Sequence, residues 1–251
     1  MPWFRQYVPS IREALYPGLL REVRQARAVG LDLLTYRAMQ AAHLHLLPSL
    51  NILRDGLVVD LGANVGDWTA AVLRVEPSAE VIAVEPGPRP RRALVQRFGD
   101  RITIDPRAVS DEVGVAAFHV TGRSEVASLH SPLPETDARY GIPDAWQVQE
   151  TVEVPTTTVD ALVAGRPVAV LKIDVQGAER EVLAGAVNTL PRTCAVLMEV
   201  TFVSHYEGDR TFPWLHEHMM GQGFELVGLS EPSVSTPSDT LLWCDACYVH
   251  V

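Results

Sequence analysis

The sequence predicts an α/β protein built on a mostly parallel sheet with helices on both faces. Three observations carry this. From Gly56 onward, short β-like apolar runs alternate with helix-like segments, the pattern of a doubly wound sheet. The first of these runs, LVVDL at 57–61, feeds a glycine turn that opens a helix. The last two runs follow one another with no helix between them, which predicts an antiparallel pair at the end of the chain.

The elements follow in order. Residues 10–47 are helical in tone, broken by Pro17-Gly18 and Gly30 into two or three short helices. DWTAAVLRVEP (67–77) reads as a helix stopped by Pro77, VIAVEP (81–86) as a second strand and PRRALVQRFG (90–99) as a helix ended by Gly99. RITIDPRAV (101–109) reads as a third strand. VGVAAFHV (113–120) and VQETVEVPT (148–156) are strand-like, and a polar, proline-rich stretch separates them. Alternation then resumes with strands at 168–175, 194–200, 224–230 and 241–251 and helices at 178–190 and 212–223. The division expected is a helical appendage or lid at 1–50 and a main domain at 51–251. Within the main domain, 121–147 is a variable segment of the kind that meets substrates.

Composition narrows the function classes. The chain has 251 residues, 47% hydrophobic and 21% charged, enough to bury a sizeable core. No run approaches the ~20 apolar residues of a membrane span. The first residues lack the order of a secretory signal, and three cysteines make no disulfide framework, so a cytoplasmic setting is expected. Net charge is −10, which argues against nucleic acid as a partner. Residues 1–56 carry seven Arg against four acids, a positive arm on a negative body and compatible with a homodimer. Cys244 and Cys247 have CxxC spacing, but on a strand an offset of three sends them to opposite faces. The pairs His43/His45 and His216/His218 are two apart on predicted helices and diverge, so no zinc site is expected.

The sharpest motif is Asp60-Leu61-Gly62-Ala63-Asn64-Val65-Gly66-Asp67-Trp68-Thr69. Glycines at a strand-to-helix turn let backbone approach a ligand closely, and the helix start offers free N–H groups. A dinucleotide loop would read GxGxxG; here Asn64 stands where the second glycine belongs. Asp60, just before the first glycine, disfavours a diphosphate and suits an ammonium. S-adenosylmethionine carries an ammonium, a sulfonium and a ribose diol, and no phosphate. Glu85, ending the second strand, suits the two hydroxyls of a ribose. The second motif is LKIDVQGAE (171–179). Lys172, Asp174 and Glu179 stand at the mouth of an apolar strand, where ionisable groups are costly unless paired or functional.

With VVDLGANVGDWT, AVEP, AVSDEVG, LKIDVQGAEREVLAG, LMEV and the terminal CDACYV, the chain resembles the FkbM family of S-adenosylmethionine-dependent O-methyltransferases. The resemblance runs over about 57–251. It implies a seven-stranded, Rossmann-like methyltransferase sheet with an antiparallel last strand. It also implies methyl transfer to a hydroxyl of a sugar or secondary metabolite, a small or glycosylated acceptor. Carried over residue by residue, Asp60, Gly62, Asn64 and Gly66 would face the methionine half of the cofactor, with a hydroxyl contact from Thr69. Glu85 would hold the ribose and Ser110 the adenine edge. Asp174 would stand at the catalytic mouth beside both cofactor and acceptor. Where the family often has Glu after the Asp-Val pair, this chain has Gln176.

Transfer from a sulfonium needs alignment and loss of the acceptor's proton. The candidate bases are Asp174, Glu199 and His205, with Asp174 and His205 preferred, and Lys172 pairs with a carboxylate. Asp174 and Glu199 can alternatively share Mg²⁺; a reaction without metal is the favoured reading. His130, Tyr140, Trp146 and Trp214 are weaker candidates for touching substrate. The competing readings are an NAD-dependent oxidoreductase and a non-catalytic cofactor-binding interaction module.

Overall fold

The computed structural model describes residues 17–137, 144–235 and 238–251. Helices Pro17–Ala28 and Leu33–Ala41 come first, the second capped by Asp32, whose carboxylate accepts the N–H groups of Leu34 and Thr35. The strands are β1 (Leu57–Leu61), β2 (Glu80–Val84), β3 (Thr103–Asp105), β4 (Ala108–Val109), β5 (Gly114–Thr121), β6 (Val148–Thr157), β7 (Val168–Ile173), β8 (Thr193–Thr201), β9 (Phe224–Leu229), β10 (Ser233–Val234) and β11 (Leu241–His250). Helices Asp67–Val75, Pro88–Phe98, Val159–Val163, Glu179–Ala184 and Phe212–Gly221 lie between them.

The main sheet has eight strands in the order β10-β11-β8-β7-β1-β2-β3, with β9 paired to β11. β3, β2, β1, β7 and β8 are mutually parallel; β11 runs antiparallel to β8, and β9 and β10 antiparallel to β11. β1 and β7 are buried along their whole length, as central parallel strands covered on both faces must be. The strand order reverses between β1 and β7, so the crevice beyond their carboxyl ends is where an open α/β sheet binds ligands.

Alternate residues feed two cores. Val59, Leu61, Leu171, Ile173 and Tyr248 pack on one face, and Val58, Val170, Leu197 and Cys247 on the other. Cys244 belongs to the first face and Cys247 to the second, both buried and free, as the strand period requires. The N-terminal helices join the second core: Ala26, Tyr36, Met39 and Leu44 pack with Val58, Trp68 and Val72. Residues 10–16 of the expected helical stretch lie outside the described residues, as does Tyr140.

Three expectations change. The stretch 101–109 is two strands rather than one, split at Pro106, which has no N–H to continue a ladder. Its second half, β4, leaves the main sheet and pairs with β6, which also pairs with β5 in a separate three-stranded sheet. The helix read over 178–190 stops at Ala184, with Gly185 as its C-cap, packed so close to the Ser110 carbonyl that a Cβ would sit 2.3 Å from it. Among the described residues no helix is long and apolar enough to cross a membrane.

Leu44 is fully buried between the N-terminal helices and the sheet. Leu44→Ala should therefore lower the stability of the whole fold by about 2–5 kcal/mol in a single urea transition. A separate early transition for residues 17–54 would show instead that these helices unfold on their own.

Candidate active site

The turn after β1 is shaped by contact with the turn after β7. Gly62 has φ +75, and a Cβ on it would lie 1.8 Å from the carbonyl oxygen of Asp174. Only glycine permits that approach. The Asp174 N–H donates to the Leu61 carbonyl at 3.2 Å, and the N–H groups of Gly62 and Ala63 both donate to the Val84 carbonyl at 3.1 and 3.0 Å. The loop thus ties the ends of β1, β2 and β7 together. Gly66 caps the helix Asp67–Val75 in a left-handed conformation; a side chain there would strike Phe98 and Leu94.

Glu85 is 7% exposed at the end of β2. Its Oε2 accepts the Asn64 N–H at 2.8 Å and its Oε1 the Gly87 N–H at 2.6 Å, which fixes the carboxyl plane. Burial pushes its pKa up to about 7, against the pull of those N–H donors.

Behind the loop lies a buried charge cluster. β1 and β7 are in register so that Asp60 faces Lys172. Lys172, the chain's only lysine, donates to Asp174 Oδ2 at 3.0 Å, and its Nζ is 3.6 Å from Asp60 Oδ1. Thr69 Oγ1 donates to Asp60 Oδ2 at 2.6 Å. Burial raises the Asp60 pKa, opposed by Lys172, while Asp174 and Asp60 raise that of Lys172 beyond its loss to burial.

From Asp174 a hydrogen-bond chain crosses to β8. Gln176 Nε2 donates to Asp174 Oδ1 at 2.7 Å and to Glu199 Oε1 at 3.0 Å, and Gln176 Oε1 accepts from the Tyr206 hydroxyl at 3.0 Å. Gln176 holds φ +57, a conformation that costs a non-glycine residue energy and is found at functional sites. Burial, with Asp174 and Asp245 nearby, holds the Glu199 carboxyl well above the usual carboxylate range. Glu179 is buried; its Oε1 accepts the N–H groups of Val175 and Gly177 and closes the turn, and burial pushes its pKa up to about 7.

Two cavities meet at this mouth. The first is walled by Gly62, Glu85, Val109, Phe118, Leu129 and Asp174, among others. The second opens toward residues 38–43 and includes Lys172, Asp174, Glu199 and Asp245. Gly62, Asn64, Glu125 and Asp174 line both. Among the described residues, the first cavity is lined by three carboxylates, Glu85, Glu125 and Asp174, and by no Lys, Arg or His.

Of the residues singled out from the sequence, Gly62, Asn64, Glu85 and Asp174 line the first cavity, and Lys172 and Glu199 the second. Asp60, Gly66, Thr69, Ser110 and His205 line neither. Asp60 and Thr69 are fully buried behind the loop. Ser110 turns to Asp111 and Thr157, leaving its expected wall to Ala108 and Val109. His205 is 3% exposed; its N–H donates to Asp209 and its carbonyl accepts from Leu133 and Thr136. Among the weaker candidates, His130 bonds to the Glu207 carbonyl, the Trp146 N–H donates to Asp137, and Trp214 stacks on His218. Among the described residues no three His, Cys, Asp or Glu side chains are arranged to hold a metal.

Gln176, marked in the sequence only as a departure from the family's usual Glu and given no role there, bridges Asp174 and Glu199. Within the variable segment 121–147, residues 124–129 close the first cavity. There Ser124 Oγ donates to Asn64 Oδ1, Ser128 Oγ donates to the Gln176 carbonyl and Val126 accepts from the Tyr206 hydroxyl.

A family model described as the methyltransferase FkbM domain matches residues 60–226. The 2-O-methyltransferase NoeI of Sinorhizobium fredii is 27% identical over 162 residues, 61% of this chain and 67% of that protein. The 31-O-demethyl-FK506 methyltransferase FkbM of Streptomyces tacrolimicus is 28% identical over 221 residues, 78% of this chain and 83% of that protein. Among solved structures, magnesium protoporphyrin IX methyltransferase from Synechocystis PCC 6803 aligns at 10% identity with a TM-score of 0.42, over 96% of this chain and 95% of that one.

Two predictions follow from the charge arrangement. A carboxyl raised from 4.5 to about 7 binds its proton more tightly in the folded state, so Glu179 costs stability as pH rises through that window. Glu179→Gln keeps an oxygen for both N–H groups, and should remove up to roughly 3 kcal/mol of the stability lost between pH 4.5 and 7, read by urea unfolding. Gln176→Glu replaces the bridging amide with a third carboxylate beside Asp174 and Glu199. It should lower the melting temperature at pH 8 more than at pH 5; an equal drop at both would mean the amide does not bridge them.

Proposed function

The chain belongs to the methyltransferase FkbM domain family, and from that premise we propose that it transfers a methyl group from S-adenosylmethionine to a hydroxyl of a sugar or secondary-metabolite acceptor. The observation that carries the cofactor reading is the first cavity, with three carboxylates and no basic side chain among its described residues. A cavity of that charge suits a sulfonium and an ammonium and repels a diphosphate. It therefore speaks against the NAD-dependent alternative, as does the absence of GxGxxG. Both relatives are named for methyl transfer to an oxygen position, which supports a hydroxyl acceptor.

The fit is local and specific. Gly62 lets the Asp174 turn close directly against the loop, and Glu85 offers a carboxyl already fixed by two N–H groups to a ribose diol. Ala108, Val109 and Phe118 supply apolar walls for a purine. When bound, the cofactor supplies a methyl group on a positively charged sulfur. Asp174, shared by both cavities, faces that charge and the incoming hydroxyl together. Lys172 and Gln176 hold its two oxygens, so its direction is set before any ligand arrives. Asp60 and Thr69 support Lys172 from behind, and His205 anchors the turn that carries Tyr206. The second cavity receives the acceptor, and the segments 1–50 and 121–147 choose it. This reading takes the protein as a cytoplasmic enzyme of small-molecule metabolism.

Calorimetric titration with S-adenosylhomocysteine and with NAD⁺, each repeated with EDTA, tests this. Micromolar binding of the first, none of the second and no effect of EDTA are expected. Glu85→Gln should weaken the homocysteine compound at least tenfold, because the amide can no longer accept from both ribose hydroxyls. Binding of NAD⁺, or unchanged affinity in the variant, would overturn the cofactor assignment.

A further inference from the structure

The second cavity contains a pair that the chemistry above leaves unused. His43 follows the helix Leu33–Ala41 and lines the cavity together with Asp174, Glu199 and Asp245. Its Nδ1 is 2.5 Å from Asp245 Oδ2. His43 sits at φ +53, a left-handed conformation uncommon outside glycine though more accessible to histidine than to most residues, and it aims the ring into the cavity wall. Asp245 is itself held in place. Its N–H donates to Ser230 Oγ and its carbonyl accepts the Ser230 N–H, while its strand register sets it opposite Glu199.

We infer that His43 Nε2 is the base that takes the acceptor's hydroxyl proton, with Asp245 as the positioning residue that fixes the ring; this rests on the methyl-transfer reading above. As the proton moves to Nε2, the hydroxyl oxygen forms its bond to the methyl carbon, and the carbon–sulfur pair stays on sulfur. Asp245 accepts from Nδ1–H and leaves Nε2 as the lone-pair nitrogen, the logic of an oriented imidazole base. Nε2 makes no hydrogen bond to a described side chain or backbone group, and the side chain is 30% exposed.

The other candidates at the mouth are occupied. Asp174 has one oxygen on Lys172 and the other on Gln176. Lys172 is a paired cation, and Glu199 accepts the Gln176 amide on Oε1, with burial and the nearby Asp174 and Asp245 holding its carboxyl well above the usual carboxylate range. His205 lines neither cavity. The ionisable groups sharing the cavity with His43 include Asp245 on β11, Glu199 on β8, Lys172 on β7 and Asp174 just after it, and the His45 ring is 6.0 Å from that of His43, edge-on.

The test uses the full chain with ¹⁵N-labelled histidine, as wild type, as His43→Asn and as Asp245→Asn. Asparagine tolerates the left-handed backbone, so the first variant should fold. In wild type, the resonances lost in His43→Asn should report a neutral Nδ1–H tautomer with Nε2 unprotonated. Diethyl pyrocarbonate, mapped by mass spectrometry, should acylate His43 at least tenfold faster in wild type than in Asp245→Asn. Affinity for S-adenosylhomocysteine should stay within twofold in all three. An Nε2–H tautomer, an unreactive His43, or equal acylation rates would overturn the base assignment. Failure of the wild type to bind S-adenosylhomocysteine would overturn the cofactor reading, and neither histidine measurement depends on it.

Discussion

The register that sets Asp60 on β1 against Lys172 on β7 is the constraint on which the site depends. It places the only lysine of the chain, nearly buried, between two carboxylates, one behind the glycine loop and one at its mouth. A buried charge is costly unless paired, and removing one partner of such a group leaves the others uncompensated, typically at about 3–5 kcal/mol. A slip of one residue between these strands would turn Lys172 to the opposite core. The same register brings the Asp174 carbonyl against Gly62, so strand pairing, loop shape and the placing of the Asp174 carboxyl are one arrangement.

Function follows from how charge is divided across that arrangement. The first cavity gathers carboxylates and no described cation, and the second places Lys172 and Glu199 beyond Asp174. Gln176 keeps the two acids apart in role: its amide binds both, so neither faces the other as a bare anion. A glutamate in that position would add the repulsion that the amide removes. The strap over 124–129 is bonded to Asn64, Gln176 and Tyr206, linking cavity closure to the same residues that hold Asp174.

Much of this was legible in the chain. Alternating apolar and helical segments implied the parallel sheet, and the strand period implied that Cys244 and Cys247 part company. Gly62, Asn64, Glu85 and Asp174 stood out because glycines and acids at strand ends have few structural excuses. What the pattern does not carry is depth and direction. Asp60 and Asp174 look alike in sequence, yet one is sealed behind Thr69 and the other opens on both cavities. Pro106 was visible, but not that β4 would leave for a second sheet and put Ala108 and Val109, rather than Ser110, in the wall of the first cavity. His43 and Asp245 are 202 residues apart, and only the fold brings them together.

The most direct test of the central claim, that the carboxylate-lined cavity at the ends of β1, β2 and β7 is a nucleoside site, is a crystal structure with S-adenosylhomocysteine. The account predicts both ribose hydroxyls on Glu85, the purine between Val109 and Phe118, and the sulfur facing Asp174. Ligand density elsewhere, or a Glu85 carboxyl turned away from the ribose, would contradict it.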